Sequence, residues 1–199
     1  MGFLDLEKNF AFYAAYHSNP INIAIHMIFV WPIFYTALLL FYFIPTPFNL
    51  PCIHFPLFGT HFVLIFNFGF LFTLIFAVSY VCFDYKAGSL AALLCLFCWI
   101  ASSVVASLLG FQLAWKVVLV VQLISWTAQF IGHGLFEGRA PALLDNIFQA
   151  FLMAPFFVLF EALQIVFGYE PYPGFHVRVT SMVDVEVEEW RNKKATLLP

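Results

Sequence analysis

The chain has 199 residues, 63% of them hydrophobic and only 10% charged, against roughly 25% charged in ordinary soluble domains, so a water-soluble globular fold is excluded. A formal net charge of -3 offers no basic field for a phosphate backbone and removes nucleic acid from the partners. Four cysteines, mostly in apolar runs, do not form the framework of a small secreted domain and are read as reduced.

In chain order, Asp5 and Glu7 precede any apolar stretch, so a cleaved signal peptide is not expected, nor is a lipid anchor. Segments 23–44, 61–83, 89–109 and 117–135 contain no Asp, Glu, Lys or Arg, and each supplies the roughly 20 apolar residues of a membrane-spanning helix. A fifth, 143–167, contains Asp145, Gln149, Pro155, Glu161 and Gln164; a kinked crossing and a helix that folds back at Pro155 both satisfy it. A proline-rich loop after the first segment and a tight polar turn over 84–88 imply an antiparallel bundle. From Gly168 the chain turns polar, and a partly ordered tail is expected there, with the Val183–Glu188 alternation as a competing edge strand. The expected fold is all-α, a polytopic membrane helix bundle, with a membrane-embedded catalytic domain over 1–167 and a polar C-terminal tail over 168–199. After an even number of crossings Lys8, Lys86 and Arg139 share the side of the N-terminus, which is therefore assigned to the cytosol.

Two stretches carry candidate chemistry. The first is Tyr16-His17-Ser18-Asn19-Pro20-Ile21-Asn22-Ile23-Ala24-Ile25-His26. In one unbroken helix His17 and His26 would point about 180° apart at ~3.6 residues per turn. Ser or Asn before a Pro is instead a helix start, so one helix ends near His17 and another begins at Pro20. The break lets both imidazoles converge, with Asn22 one turn from His26 on the same face. The second stretch runs from Gln129 through Gly132-His133-Gly134 to Glu137, Arg139 and Asp145. Gln129, His133 and Glu137, spaced by four, share a helix face, and the two glycines permit close approach of a helix or ligand. Four crossings return His133 and Glu137 to the side of His17 and His26. Three imidazoles and a carboxylate, from His17, His26, His133 and Glu137, suit Fe(II) or Zn(II), and polar residues grouped in costly membrane surroundings point to function. The HxxxH and HxxHH boxes of di-iron membrane enzymes are absent. His54 and His61 fall on the opposite side and read as interfacial, His176 as a tail residue, and Cys95 with Cys98 as small core residues.

The ordered motifs YHSNPINIAIH, QFIGHGLFEGRAPALLDN and APFFVLFEAL resemble the membrane-embedded 2-hydroxy fatty acid dioxygenase family of fungi, plants and bacteria, from His17 to Glu161. The resemblance implies an Fe(II)-dependent enzyme of the endoplasmic reticulum membrane, multi-pass, that shortens 2-hydroxy fatty acids by one carbon during phytosphingosine breakdown. It carries the family's histidine pattern onto His17, His26 and His133, and its polar pattern onto Asn22, Glu137, Arg139 and Asp145. Which of Glu137, Asp145 and Glu161 is a further ligand stays open. The chain departs from the family in His54, His61, the proline-rich loop and the tail, which bears on chain length and partners more than on chemistry.

The implied reaction balances: converting R-CHOH-COOH to R-COOH and carbon dioxide releases four electrons, and reducing O2 to water takes up four. No reductant is required, in keeping with the lack of a dinucleotide fingerprint or an iron-sulfur cysteine cluster. Arg139 is the candidate carboxylate clamp, because its planar fork fits a carboxylate bidentately. The expected partners are Fe(2+), a 2-hydroxy fatty acid, O2 and the lipid bilayer; the sequence names no protein partner. The competing reading is a non-catalytic lipid-binding scaffold or small transporter with a structural histidine site.

Overall fold

The computed structural model describes residues 5–46, 51–57, 59–141 and 147–197. Asp5 caps α1 (Leu6–Ala15) by accepting the Lys8 amide at 3.2 Å. α2 (Pro20–Phe41) begins where the sequence places a helix start: Asn19 accepts the Ile21 amide at 2.9 Å and Pro20 occupies the first helical position, where its missing N–H has no helical partner to lose.

A hairpin follows. β1 (Cys52–Leu57) pairs antiparallel with β2 (Thr60–Ile65) around Gly59, which takes φ 78°. This corrects the all-α expectation and the continuous helix over 61–83. Residues 61–65 are aromatic or aliphatic and include the β-branched Val63 and Ile65; in a short apolar run, strand and helix have the same hydropathy and only the paired partner decides. The helix there is α3 (Phe68–Phe83), capped by Asn67, which accepts the Phe70 amide.

The turn expected over 84–88 contracts to one residue. Asp84 is extended, ends α3, and accepts the Ala87 amide at 2.6 Å to start α4 (Tyr85–Ile131). α4 is two helices joined at Gly110, whose φ of 65° and ψ of 164° are non-helical; only glycine takes such a conformation without strain. The halves run antiparallel. Ala106 and Ala114, on either side of Gly110, both pack in one cluster with Leu39 near the end of α2. From there the second half returns along α2, with the Gln122 amide donating to the Ile33 carbonyl (3.0 Å) and to Thr36 Oγ1 (2.9 Å). It ends in a π-helical turn, Gly132–Glu137, closed by the left-handed Gly138.

α5 (Ile147–Phe167) is continuous through Pro155. Its contacts run to the last turns of α3, through Tyr80 and Phe83 against Phe156, and to α1, through Phe10 against Phe157 and Phe160. Just beyond it, the Tyr169 hydroxyl donates to Asp84 at 2.6 Å. α5 therefore packs against the end of the bundle where α2 starts and α3 stops. The tail forms the helix α6 (Phe175–Leu197), in place of the partly ordered tail or edge strand expected. Phe175 packs under Phe10 and Phe160, and Arg178 pairs with Glu7 of α1.

The core is aromatic, centred on Phe10, Tyr80, Phe156, Phe157 and Phe160. Outward, α3 and α4 expose large apolar side chains such as Leu71, Ile75, Leu93, Phe97, Val120 and Leu123, an apolar surface far beyond what a water-facing monomer carries. Pro20–Phe41 and Tyr85–Glu137 are long and apolar enough to cross a membrane.

The α3–α4 junction depends on Gly88, where a Cβ would collide with the Tyr80 carbonyl, whereas a Cβ at Gly134 meets nothing within 4 Å. Gly88→Ala should lower stability in detergent by about 1–3 kcal/mol, as overpacking does. Gly134→Ala should leave the thermal midpoint in place. Equal midpoints for Gly88→Ala and the unsubstituted protein would refute this packing.

Candidate metal centre

His17, His26 and His133 come together as the sequence requires. Their ring centroids are 4.3, 4.9 and 4.9 Å apart, one ring nitrogen from each lies within 4.8 Å of the others, and all three side chains are buried. His17 follows the last turn of α1, where its Nδ1–H donates to the Tyr13 carbonyl at 2.8 Å. His26 repeats the pattern in the second turn of α2, donating from Nδ1 to the Asn22 carbonyl at 3.0 Å. A backbone acceptor at Nδ1 fixes the tautomer and leaves Nε2 with its lone pair.

His17 Nε2 and His133 Nδ1 are buried with no hydrogen-bond partner among the described residues. Burying such atoms unpaired costs free energy, so their convergence fits a bound cation. Burial, with the His26 and His133 imidazoles beside it, holds the His17 pKa well below its ordinary value, so His17 presents the neutral form that ligates. Three neutral imidazoles suit Fe, Zn, Cu or Ni ions, and leave positions for other ligands.

Tyr13, which the sequence did not single out, supports the group. Its ring stacks on His17 at 4.1 Å and 20°, and its hydroxyl donates to the buried Glu161 at 3.1 Å. The signal was its position four residues before His17 on the same face of α1. Glu161 is thereby placed behind His17 and is not among the grouped ligand atoms.

The structure does not bring Glu137 into the imidazole group. Its carboxylate accepts the backbone amides of Ser18 (2.6 Å) and Asn19 (2.7 Å), the Ser18 hydroxyl (3.0 Å) and Asn22 Nδ2 (3.3 Å). The π turn explains the displacement, since widening the helix between His133 and Glu137 breaks the i,i+4 alignment that a regular helix would give. Glu137 instead ties the end of α4 to the α1–α2 break. Asn22, fully buried, orients His26 through its carbonyl and reaches Glu137 through its amide. Gly132 makes room for it, because a Cβ there would strike Asn22 Oδ1. Arg139 donates from Nη1 to the Ala15 carbonyl at 2.9 Å and lies over the Tyr16 ring, 3.5 Å from its centroid. Its backbone amide donates to the His133 carbonyl. Asp145 lies outside the described residues. His54 and His61 are exposed on the hairpin and are not among the grouped ligand atoms.

The imidazoles line a largely apolar cleft, walled by Val30, Ile33 and Ala37 of α2, Phe72 and Phe76 of α3, and aromatic residues of α4 and α5. A few convergent polar groups in an otherwise apolar cleft are the usual form of a small-molecule site. A family model described as 2-hydroxy-palmitic acid dioxygenase Mpo1-like matches residues 3–166. The chain belongs to that family. Its relative in Saccharomyces cerevisiae, 2-hydroxy-palmitic acid dioxygenase MPO1, is 31% identical over 193 residues, covering 94% of each chain. No solved structure matches. Membership of the Mpo1-like family removes the support for a scaffold or transporter, and the buried histidines lining an apolar cleft accord with it.

In this Mpo1-like chain, His17→Ala, His26→Ala and His133→Ala should each reduce bound metal, measured by elemental analysis after anaerobic loading with Fe(II), to background, while His54→Ala and His61→Ala retain it. Gly132→Ala should weaken iron binding roughly 10–100-fold, the usual cost of disturbing a ligand's support. Full iron in any of the first three variants would dismiss this centre.

Proposed function

We infer that this chain is an iron-dependent dioxygenase that shortens 2-hydroxy fatty acids by one carbon, R-CHOH-COOH + O2 → R-COOH + CO2 + H2O. The observation that carries the reading is the group of three imidazoles, two with orphaned buried nitrogens, in the lining of an apolar cleft. Bound iron would supply a Lewis-acidic, redox-active centre with open positions for substrate and O2. His17, His26 and His133 hold it, and the Tyr13 and Asn22 carbonyls set the direction of the first two. Asn22 and Glu137 are positioning residues; Asp145 keeps its place as a second carboxylate candidate. Arg139 stands at the same end of the molecule, next to the α1 terminus, and its guanidinium fork is the clamp for the substrate carboxylate. The apolar walls take up the alkyl chain and exclude water from the reacting end.

In the bilayer, α2, α3 and the two halves of α4 cross, while α1, α5 and α6 lie on the side of the N-terminus. That arrangement adds Arg178, Arg191, Lys193 and Lys194 to Lys8, Lys86 and Arg139, as the cytosolic side of an endoplasmic reticulum protein requires.

Purified, iron-loaded protein should consume one O2 per 2-hydroxy acid and release carbon dioxide without added reductant. A requirement for a reductant in stoichiometric amounts would sink this reaction. Arg139→Lys should keep its iron and lose on the order of tenfold in kcat/KM, because an ammonium cannot reproduce the guanidinium fork. Unchanged kinetics would move the carboxylate clamp elsewhere.

A further inference from the structure

The cleft has a floor. Along α2, His26, Val30, Ile33 and Ala37 follow one another at helical spacing down a single stripe, and all four line the cleft. The next residue on that stripe, Phe41, does not line it. Its ring instead packs edge-on against Phe72 of α3, at 5.1 Å and 69°, and Phe72 packs in turn on Phe34 and Phe76. Gly69 approaches Phe41 at the same level, with Leu38 behind it. The start of α3 therefore closes on the end of α2 just past Ala37.

We propose that Ala37, backed by the Phe41–Phe72 ring pair, is the stop that sets the longest acyl chain this cleft accepts. The proposal rests on the reading of the cleft as the site of a 2-hydroxy fatty acid, and it adds which residues measure the chain. From His26 to Ala37 the helix rises about 16 Å at ~1.5 Å per residue. An extended alkyl chain advances about 1.25 Å per carbon, the projection of a ~1.5 Å C–C bond at a tetrahedral angle. The stripe therefore spans about 13 carbons beyond the head group held at the imidazoles, for a total of roughly 14–16. Ala37 is the smallest side chain on the stripe, so it is where added bulk subtracts most from the length. A ring at position 37 fills about one helical turn, ~5.4 Å, or about four carbons. Removing the Phe41 ring opens the floor by a similar depth.

The test is competition among chain lengths in full-length protein without added iron. Detergent-solubilised protein is incubated with an equimolar mixture of saturated 2-hydroxy fatty acids of 10 to 20 carbons, and native mass spectrometry reads which remain bound. The unsubstituted protein should retain chains up to about 16 carbons; Ala37→Phe should move that limit to about 12, and Phe41→Ala should move it to about 20. The two variants err in opposite directions, so a loss of folding in either leaves the other to decide. If the limit stays where it is in the folded variants, the stop is not here and the proposal fails while the function stands. If the unsubstituted protein retains no 2-hydroxy fatty acid of any length, the acyl-site reading itself fails and the stop falls with it.

Discussion

The carboxylate of Glu137, clamped on the amides of Ser18 and Asn19, is the contact on which the centre depends. A helix break between His17 and His26 leaves amide groups without helical partners and gives the two imidazoles freedom to diverge. Glu137 satisfies those donors with charge-assisted hydrogen bonds, each worth about 1.5–3 kcal/mol. In doing so it fixes the start of α2 against the end of α4, and so brings His133 to the other two histidines. A carboxylate at the end of the chain's longest helical stretch thus does more for the geometry by holding backbone than it would as a ligand.

The second support comes from α1, a short helix that carries Tyr13 and His17 and is too short to be stable alone. It is held from three directions. Phe10 is wedged among Phe157, Phe160 and Phe175, Tyr13 reaches Glu161 of α5, and Glu7 meets Arg178 and Tyr172 from the C-terminal region. α6 therefore acts on the histidine group at one remove, by pinning the helix that presents His17. Most of this bracing is aromatic packing; the exposed Glu7–Arg178 pair adds little by itself.

The parts of the site legible in the sequence were those with local causes. Asn19 and Pro20 announce a helix start through capping and a fixed φ, and that break alone makes the convergence of His17 and His26 possible. Counting apolar segments then returns His133 to the same end. What the sequence hid was set by partners distant along the chain. The π turn that swings Glu137 away from His133 is a small change of helical pitch among residues that a regular helix also accommodates. The β1–β2 hairpin took the first residues of an apolar run whose composition fits a helix equally well. The order of α6 derives from Phe175 in the aromatic core, and a polar composition after Gly168 conceals one such anchor. Asp84 and Gly110 each perform as a single residue a reversal for which several were expected, the one by serving as cap to two helices, the other through a left-handed φ.

The central claim is that three imidazoles from two sides of a helix break and from the end of α4 hold one iron. X-ray absorption at the iron edge of anaerobically loaded protein addresses it directly, since imidazole rings give a distinctive outer-shell scattering. The account predicts a light-atom first shell with three imidazoles per iron. A shell containing sulfur, or an imidazole count other than three, would contradict it.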